Sequence, residues 1–206
     1  MTFPFQKYDS IAGYFRDYRQ QIAESMESVD EAALDAAGKL IAATVAADHV
    51  VYSCGNGGSA AIANHLVCDH ARGVSADTGL RPRIHSLSCN VEIMTAIAND
   101  VAYAEVFAHQ LALSGRPGDL LITISSSGDS ENVVRAIQHA KANNIATIAI
   151  TGFSGGRSAQ LADINLHVKG DNYGVIEDVH QSLMHILAQY LRQAQMDAGL
   201  VAARKF

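Results

Sequence analysis

Two short loops in this chain carry residues suited to holding an anion. Cys54-Gly55-Asn56-Gly57-Gly58-Ser59-Ala60 follows an apolar stretch and leads into a helical pattern. Glycines let the backbone turn tightly and approach a ligand, and a helix start offers unpaired N–H groups with positive partial charge. Ser125-Ser126-Ser127-Gly128-Asp129-Ser130 follows the apolar run Leu120-Leu121-Ile122-Thr123-Ile124 in the same setting. Its hydroxyls and helix-terminal N–H groups can converge on a phosphate without a lysine, and no Walker-A sequence appears. A third constellation is spaced for proton transfer or metal binding. His65 and Asp69 share one helical face at i, i+4, while Glu177, Gln181 and His185 project along another. Two imidazoles and two carboxylates satisfy zinc, and a carboxylate paired with a histidine suits removal of a proton next to a carbonyl.

The first loop also fits GxGxxA, which alone is a weak sign of dinucleotide binding. The acidic residue expected near the end of the second strand is missing, since that region reads His85-Ser86-Leu87-Ser88-Cys89-Asn90. No nucleotide cofactor is expected.

These residues need a scaffold, and the apolar pattern supplies one. Ile11, Tyr14, Phe15, Tyr18, Ile22 and Met26 recur at helical spacing. Ser28 with Glu31 reads as a capping box opening a second helix through Leu34, Ala37, Ile41 and Val45. Short apolar strands then alternate with helices: His49 to Ser53, Arg83 to Ser88, Asp119 to Ser125, Ala146 to Thr151 and Ile164 to Val168. The helical stretches are Ser59 to Arg72, Ala102 to Leu113, Ser130 to Ala142 and a long one from about Val175. This alternation predicts an α/β three-layer sandwich, flavodoxin-like, with a mostly parallel five-stranded sheet and two amino-terminal helices in front. In such sheets ligands bind beyond the carboxyl ends of the strands, where both loops fall.

A chain of 206 residues with 49% hydrophobic side chains suits one domain, residues 1–206, including a helical segment 1–48. Its formal charge of −6 provides no basic footprint for nucleic acid. Cys54, Cys68 and Cys89 form no CxxC pair and are odd in number, which favours a reducing compartment. The start MTFPFQKYDSIAGYF lacks the cationic and apolar blocks of a signal peptide, and no apolar run reaches membrane-spanning length. A cytoplasmic protein without membrane partners is expected.

CGNGGS at Cys54 to Ser59 together with SSSGDS at Ser125 to Ser130 resembles the two phosphosugar-binding loops of SIS proteins. The similarity continues through TAIAND at Thr95 to Asp100 and TGFSGG at Thr151 to Gly156. Among SIS proteins the chain is most similar to bacterial phosphoheptose isomerases. These carry a histidine and, four positions later, a glutamate on the first-loop helix, and on the last helix a glutamine eight residues before a second histidine. The resemblance implies zinc held by His65, Asp69, Glu177 and His185, with Asp69, Glu177 and His185 as catalytic candidates. It also implies a sugar phosphate bound by Asn56, Gly57, Gly58, Ser59, Asn90, Ser125, Ser126, Ser127, Ser130 and Glu177. A homotetramer with sites near subunit boundaries is expected from the same resemblance and the amphipathic leading helices.

This sequence departs from that pattern in three places: Asp69 replaces glutamate, Glu177 replaces glutamine, and Asn90 stands where aspartate is common. The implied activity is aldose–ketose isomerisation of sedoheptulose 7-phosphate to D-glycero-D-manno-heptose 7-phosphate, serving heptose and surface-polysaccharide synthesis. The alternatives are an isomerase of another C5–C7 sugar phosphate, or a non-catalytic SIS scaffold of the type that binds the replication initiator. Such a scaffold shares TAIAND but lacks the histidine found here at His185, so the acid–histidine set favours an enzyme.

Overall fold

The computed structural model describes residues 2–206. Two helices lead, α1 (Ile11–Glu27) and α2 (Glu31–Ala46). Asp30 caps α2, accepting from the backbone N–H groups of Ala32 and Ala33 at 2.8 and 3.3 Å. The expected Ser28/Glu31 capping box does not form. Ser28 instead donates to the Ser25 carbonyl and accepts from the Lys169 backbone N–H, tying the turn to the far end of the sheet. A short polar side chain beside the helix start wins the cap here because its carboxylate reaches two orphan donors.

Five strands follow: β1 (Val50–Gly55), β2 (Arg83–Ser86), β3 (Leu120–Ser125), β4 (Ala146–Thr151) and β5 (Ile164–His167). They form one sheet in the order β2-β1-β3-β4-β5, and every pair is parallel. The connecting helices are α3 (Gly58–Cys68), α4 (Val91–Asp100), α5 (Val106–Ser114), α6 (Glu131–Ala142) and α7 (Gly156–Leu161). The chain closes with α8 (Tyr173–Gln195) and a short α9 (Ala198–Val201). Helix α4 lies ahead of the expected Ala102 to Leu113 stretch, which corresponds to α5, and is not marked by sequence periodicity; Asn90 caps it by accepting from the Ile93 N–H at 3.0 Å.

All six residues of β1 and of β3 are buried, so their continuous apolar runs match a sheet covered on both faces. One face packs Val51, Ile122, Ile124 and Ile150 against α2, α3 and α8. The other packs Tyr52, Cys54 and Leu121 against α4, α5 and α6. Asp119 pins the start of β1 to that of β3 by accepting from the Val50 N–H at 2.8 Å, although its own side chain is nearly inaccessible. At the far end of α3 the helix widens into a π turn, Asp69–Val74, against which α8 packs. Turns of this kind redirect the chain without ending it.

Two histidines are wholly buried, His70 in the π turn and His180 on α8. Among the described residues His180 finds no well-formed hydrogen-bond partner at either ring nitrogen. Burial pushes its pKa down to about 4, with a Thr151 backbone group offsetting part of the effect, and burial lowers that of His70 too. An unfolded histidine titrates near about 6.5, so acid protonates the unfolded chain first. Stability should be full above about pH 6.5 and fall as the pH drops toward about 4, by about 3 kcal/mol for His180. Urea midpoints measured from pH 7 to 4.5 should fall more steeply in the wild type than in His180→Phe. Parallel curves would show that His180 does not carry the acid sensitivity.

Candidate active site

The loops after β1 and β3 lie side by side because those two strands are paired, Gly55 opposite Ile124. Their chains then leave to opposite faces of the sheet, α3 on one and α6 on the other. This strand order reverses between β1 and β3, the place where α/β sheets open a ligand crevice. In the first loop Gly57 has φ +55°, and a side chain added there would meet nothing within 4 Å. The loop is therefore open on the side that a side chain at Gly57 would occupy. The first turn of α3 begins at Gly58, with Ser59 buried beneath it.

In the second loop the backbone folds back on itself. Gly128 has φ +64°, and a Cβ there would collide with the Gly155 carbonyl. Its N–H donates to the Ser125 hydroxyl at 3.1 Å, and its carbonyl accepts from the Ser158 N–H at 2.8 Å. Ser126 Oγ is buried with no hydrogen-bond partner among the described residues, so one hydroxyl in this loop is uncommitted. Ser127 accepts from the Asp129 N–H at 3.3 Å, and Ser130 stands at the head of α6 with no capping bond from its side chain.

Asn56 and Asn132 join the two loops. Each amide donates to the other's Oδ1 at 2.9 Å, and the Tyr103 hydroxyl adds a third bond to Asn56 Oδ1 at 2.8 Å. Asn132 is 2% exposed, whereas its partner is open enough to be offered to a ligand. Ser88 steadies the same corner, accepting from the Gly55 N–H at 3.1 Å and donating to the Gly55 carbonyl at 2.8 Å. Sequence reading missed Asn132, Tyr103 and Ser88. Only Asn132, one turn after a serine loop, left a readable signal there.

Beside the loops the charges are already paired. Arg157 grips Asp129 at 2.5 Å and Glu131 at 2.9 Å. Arg135 in turn binds Glu131 at 2.7 Å and also pairs with Glu105. Arg157 holds the Asp129 carboxyl below the usual range, and Arg135 with Arg157 does so for Glu131.

Helices α3 and α8 pack together with the acid–histidine residues between them. Asp69 faces both rings: Oδ2 is hydrogen-bonded to His185 Nδ1 at 2.6 Å, and Oδ1 lies 3.1 Å from His65 Nε2 at ion-pair distance. The imidazoles meet edge to face with centroids 5.1 Å apart. Gln181 Nε2 sits 2.9 Å from the other ring nitrogen of His185. One donor atom from each of His65, Asp69 and His185 falls within a 4.8 Å cluster. Nitrogen and carboxylate donors at such mutual distances suit a tetrahedral zinc ion.

Glu177 lies elsewhere on α8. A Cβ on Gly58 would strike its carboxylate, so the acid covers the start of α3. It stands eight residues from His185, about 12 Å along the helix. Burial and, secondarily, Asp178 raise its pKa. The structure thus places Glu177 with the anion loops and His65, Asp69 and His185 with one another. Asn90 is exposed and caps α4.

A five-stranded parallel sheet of this order, with two serine- and glycine-lined loops at its switch point, defines the SIS class of α/β protein, and the SIS domain profile matches residues 14–152. The chain is 38% identical over 147 residues to a phosphoheptose isomerase from Nitratidesulfovibrio vulgaris, covering 71% of this chain and 70% of the relative. It is 36% identical over 180 residues to one from Bordetella avium, covering 86% and 90%. A solved phosphoheptose isomerase from Francisella tularensis superposes with a TM-score of 0.83 at 31% identity, covering 90% of this chain and 97% of that one. The chain belongs to the phosphoheptose isomerase family of SIS-domain proteins.

If the reciprocal amide pair sets the spacing of the loops, Asn132→Leu should cost about 1–3 kcal/mol, since it keeps nearly the same shape without adding charge and leaves the Asn56 amide unpaired. It should also weaken binding of a sugar phosphate at least several-fold by calorimetry. Unchanged affinity would separate the clamp from the ligand site.

Proposed function

We propose that the protein interconverts sedoheptulose 7-phosphate and D-glycero-D-manno-heptose 7-phosphate, supplying heptose for surface polysaccharide. The observation that carries this reading is the distance between the loops and the acid–histidine cluster. Ser59 and His65 are six residues apart on α3, about 9 Å along its axis. From phosphorus to C2 of a 7-phosphate there are seven bonds, and at about 1.5 Å each the extended zigzag spans roughly 9 Å. A phosphate held at the head of α3 therefore lets a seven-carbon ketose reach the cluster with its carbonyl. A pentulose 5-phosphate falls roughly 2–3 Å short on the same bond lengths.

In this reading Gly57, Gly58, Ser59, Ser125, Ser126, Ser127 and Ser130 hold the phosphate through hydroxyls and N–H groups. Asn56, Asn90 and Glu177 line the path of the sugar hydroxyls. From the ketose, Asp69 takes a proton from C1 while the C2 oxygen gains one through His185, giving the enediol. Return of a proton to C2 and loss of the O1 proton completes the aldehyde. His65, Asp69 and His185 would hold zinc, with Glu177 as the family pattern's fourth candidate; bound there, the ion supplies Lewis-acid polarisation of the carbonyl. Glu177 is the competing base, favoured by a carboxylate not engaged by either imidazole and by its raised pKa.

Assembly into a homotetramer is supported by Ile11 and Phe15, which leave 83% and 60% of their surfaces exposed on one face of α1. A cytoplasmic setting is supported by three free cysteines, and among the described residues no helix is long and apolar enough to cross a membrane.

A panel of C5, C6 and C7 ketose phosphates should show the highest kcat/KM for the seven-carbon substrate. Activity confined to shorter chains would overturn the length argument. Replacing His65 and His185 together by alanine should remove zinc by elemental analysis. Undiminished metal in that variant would mean the ligands lie elsewhere. Asp69→Asn should lower solvent-deuterium exchange about 10²–10⁴-fold. If Glu177→Gln abolishes exchange with metal intact while Asp69→Asn does not, the base is Glu177. Light scattering that finds only monomer would remove the tetramer.

A further inference from the structure

Glu131 is the first residue of α6, directly after the serine loop, so a negative charge stands where an anion is expected to bind. Its two oxygens are taken by different arginines. Oε1 accepts from Arg135 Nε at 2.7 Å, one turn further along α6, and Oε2 accepts from Arg157 Nη1 at 2.9 Å, from α7. Each arginine also holds a second acid. Arg157 pairs with the Asp129 carboxylate at 2.5 Å and donates to the Asp129 carbonyl at 3.0 Å, which fixes both side chain and backbone of the serine loop. Arg135 pairs with Glu105, the last residue of a 3₁₀ turn, Tyr103–Glu105, that packs against α6. At the other end of that turn the Tyr103 hydroxyl donates to Asn56 Oδ1 in the first loop at 2.8 Å.

The ladder Asp129–Arg157–Glu131–Arg135–Glu105 thus runs from the serine loop to the turn that touches the first loop, and Glu131 is its middle rung. The next residue, Asn132, is buried and joins the loops from within, whereas Glu131 is half-exposed and reaches the same two loops from outside. We propose that Glu131 is a positioning residue of the anion site, tying the two loops into one frame through Arg157 and Arg135. The proposal rests on the isomerase reading for the ligand that the frame serves. A lone exposed ion pair contributes little, because water screens it and two long side chains must be ordered for one contact. Here one carboxylate orders two guanidinium forks, and each fork is engaged again at its far side. Arg135 and then Arg157 hold the Glu131 carboxyl below its usual range, which keeps it ionised and paired. A bare negative charge at this helix start would oppose a bound phosphate, so its loss would tighten binding. A tie between the loops does the reverse: once cut, it loosens them and weakens binding.

Glu131→Ala cuts the ladder at its middle and leaves Arg157 on Asp129 and Arg135 on Glu105. In the ligand-free protein, amide hydrogen exchange over residues 54–60, where the Ala60 N–H is held by the Asn56 carbonyl at 3.3 Å, should quicken severalfold. Exchange in the buried strand β3 should not change. Tyr103→Phe cuts the far end of the same path and should quicken the same segment, and adding Glu131→Ala to it should have little further effect. Unchanged exchange in the first loop of Glu131→Ala, or additive effects in the double variant, would overturn the tie whatever the protein binds. By calorimetry with sedoheptulose 7-phosphate, Glu131→Ala should bind severalfold more weakly, with KM rising by more than kcat falls. Binding that is unchanged or tighter would show that Glu131 acts as a charge alone and would overturn its positioning role. Wild-type protein that neither binds nor isomerises any sugar phosphate would instead sink the isomerase reading, and hydrogen exchange would still decide the tie between the loops.

Discussion

The site depends on one constraint of topology: β1 and β3 are neighbours in the sheet, yet the chains leaving them cover opposite faces. Two helix beginnings are thereby brought to the same edge and splayed apart, which opens a crevice between two sets of free N–H groups. Nothing in either loop alone fixes the width of that crevice. The pairing of Gly55 with Ile124 sets the height at which the strands end, and the Asn56–Asn132 amide pair bridges the gap. A buried amide with all its partners present is stiff, and the same amide with one partner missing is costly. The relative positions of the two loops therefore follow from backbone pairing plus one side-chain clamp.

A second constraint joins α3 to α8. Asp69 can face two imidazoles because His65 stands one turn before it on its own helix and His185 comes from the helix packed alongside. The i, i+4 step was legible in the sequence, since helical geometry alone puts those side chains together. The grouping of Glu177 with them was not. Eight residues on a straight helix separate it from His185 by about 12 Å, and the same packing that seats His185 beside Asp69 lays Glu177 over Gly58. Sequence spacing names the face of a helix, but how far along that face a partner sits is decided by the neighbouring element.

The alternating apolar runs disclosed the sheet, because strands buried on both sides have few other readings. Less legible were features set by contacts distant in sequence. The cap that Asn90 makes on α4 is not foreseeable from its place after the second strand. Ser28 reads as a cap, yet Asp30 has taken that position and Ser28 holds Lys169 instead. Tyr103 sits outside every motif and reaches Asn56 only because α4 and α5 bring the chain back across the loop. At Asn90 and Ser28 a short polar side chain had several local partners, and the tertiary fold chose among them.

The electrostatics of the site then explain its composition. The chain carries a formal charge of −6, neither anion loop contains a lysine or arginine, and Glu177 stands over the first of them. The nearest guanidinium at the second loop, Arg157, is already bound to Asp129 and Glu131. In the proposed reading a phosphate ester there would be met by helix-start N–H groups and serine hydroxyls, such as the uncommitted Ser126 Oγ, and not by a free cation. Such donors are directional and short-ranged, so they reward a ligand fixed at one orientation more than one drawn in by charge. That suits a site in which the anchored end must hold the other end of the molecule, two helical turns away, against a single carboxylate between two imidazoles.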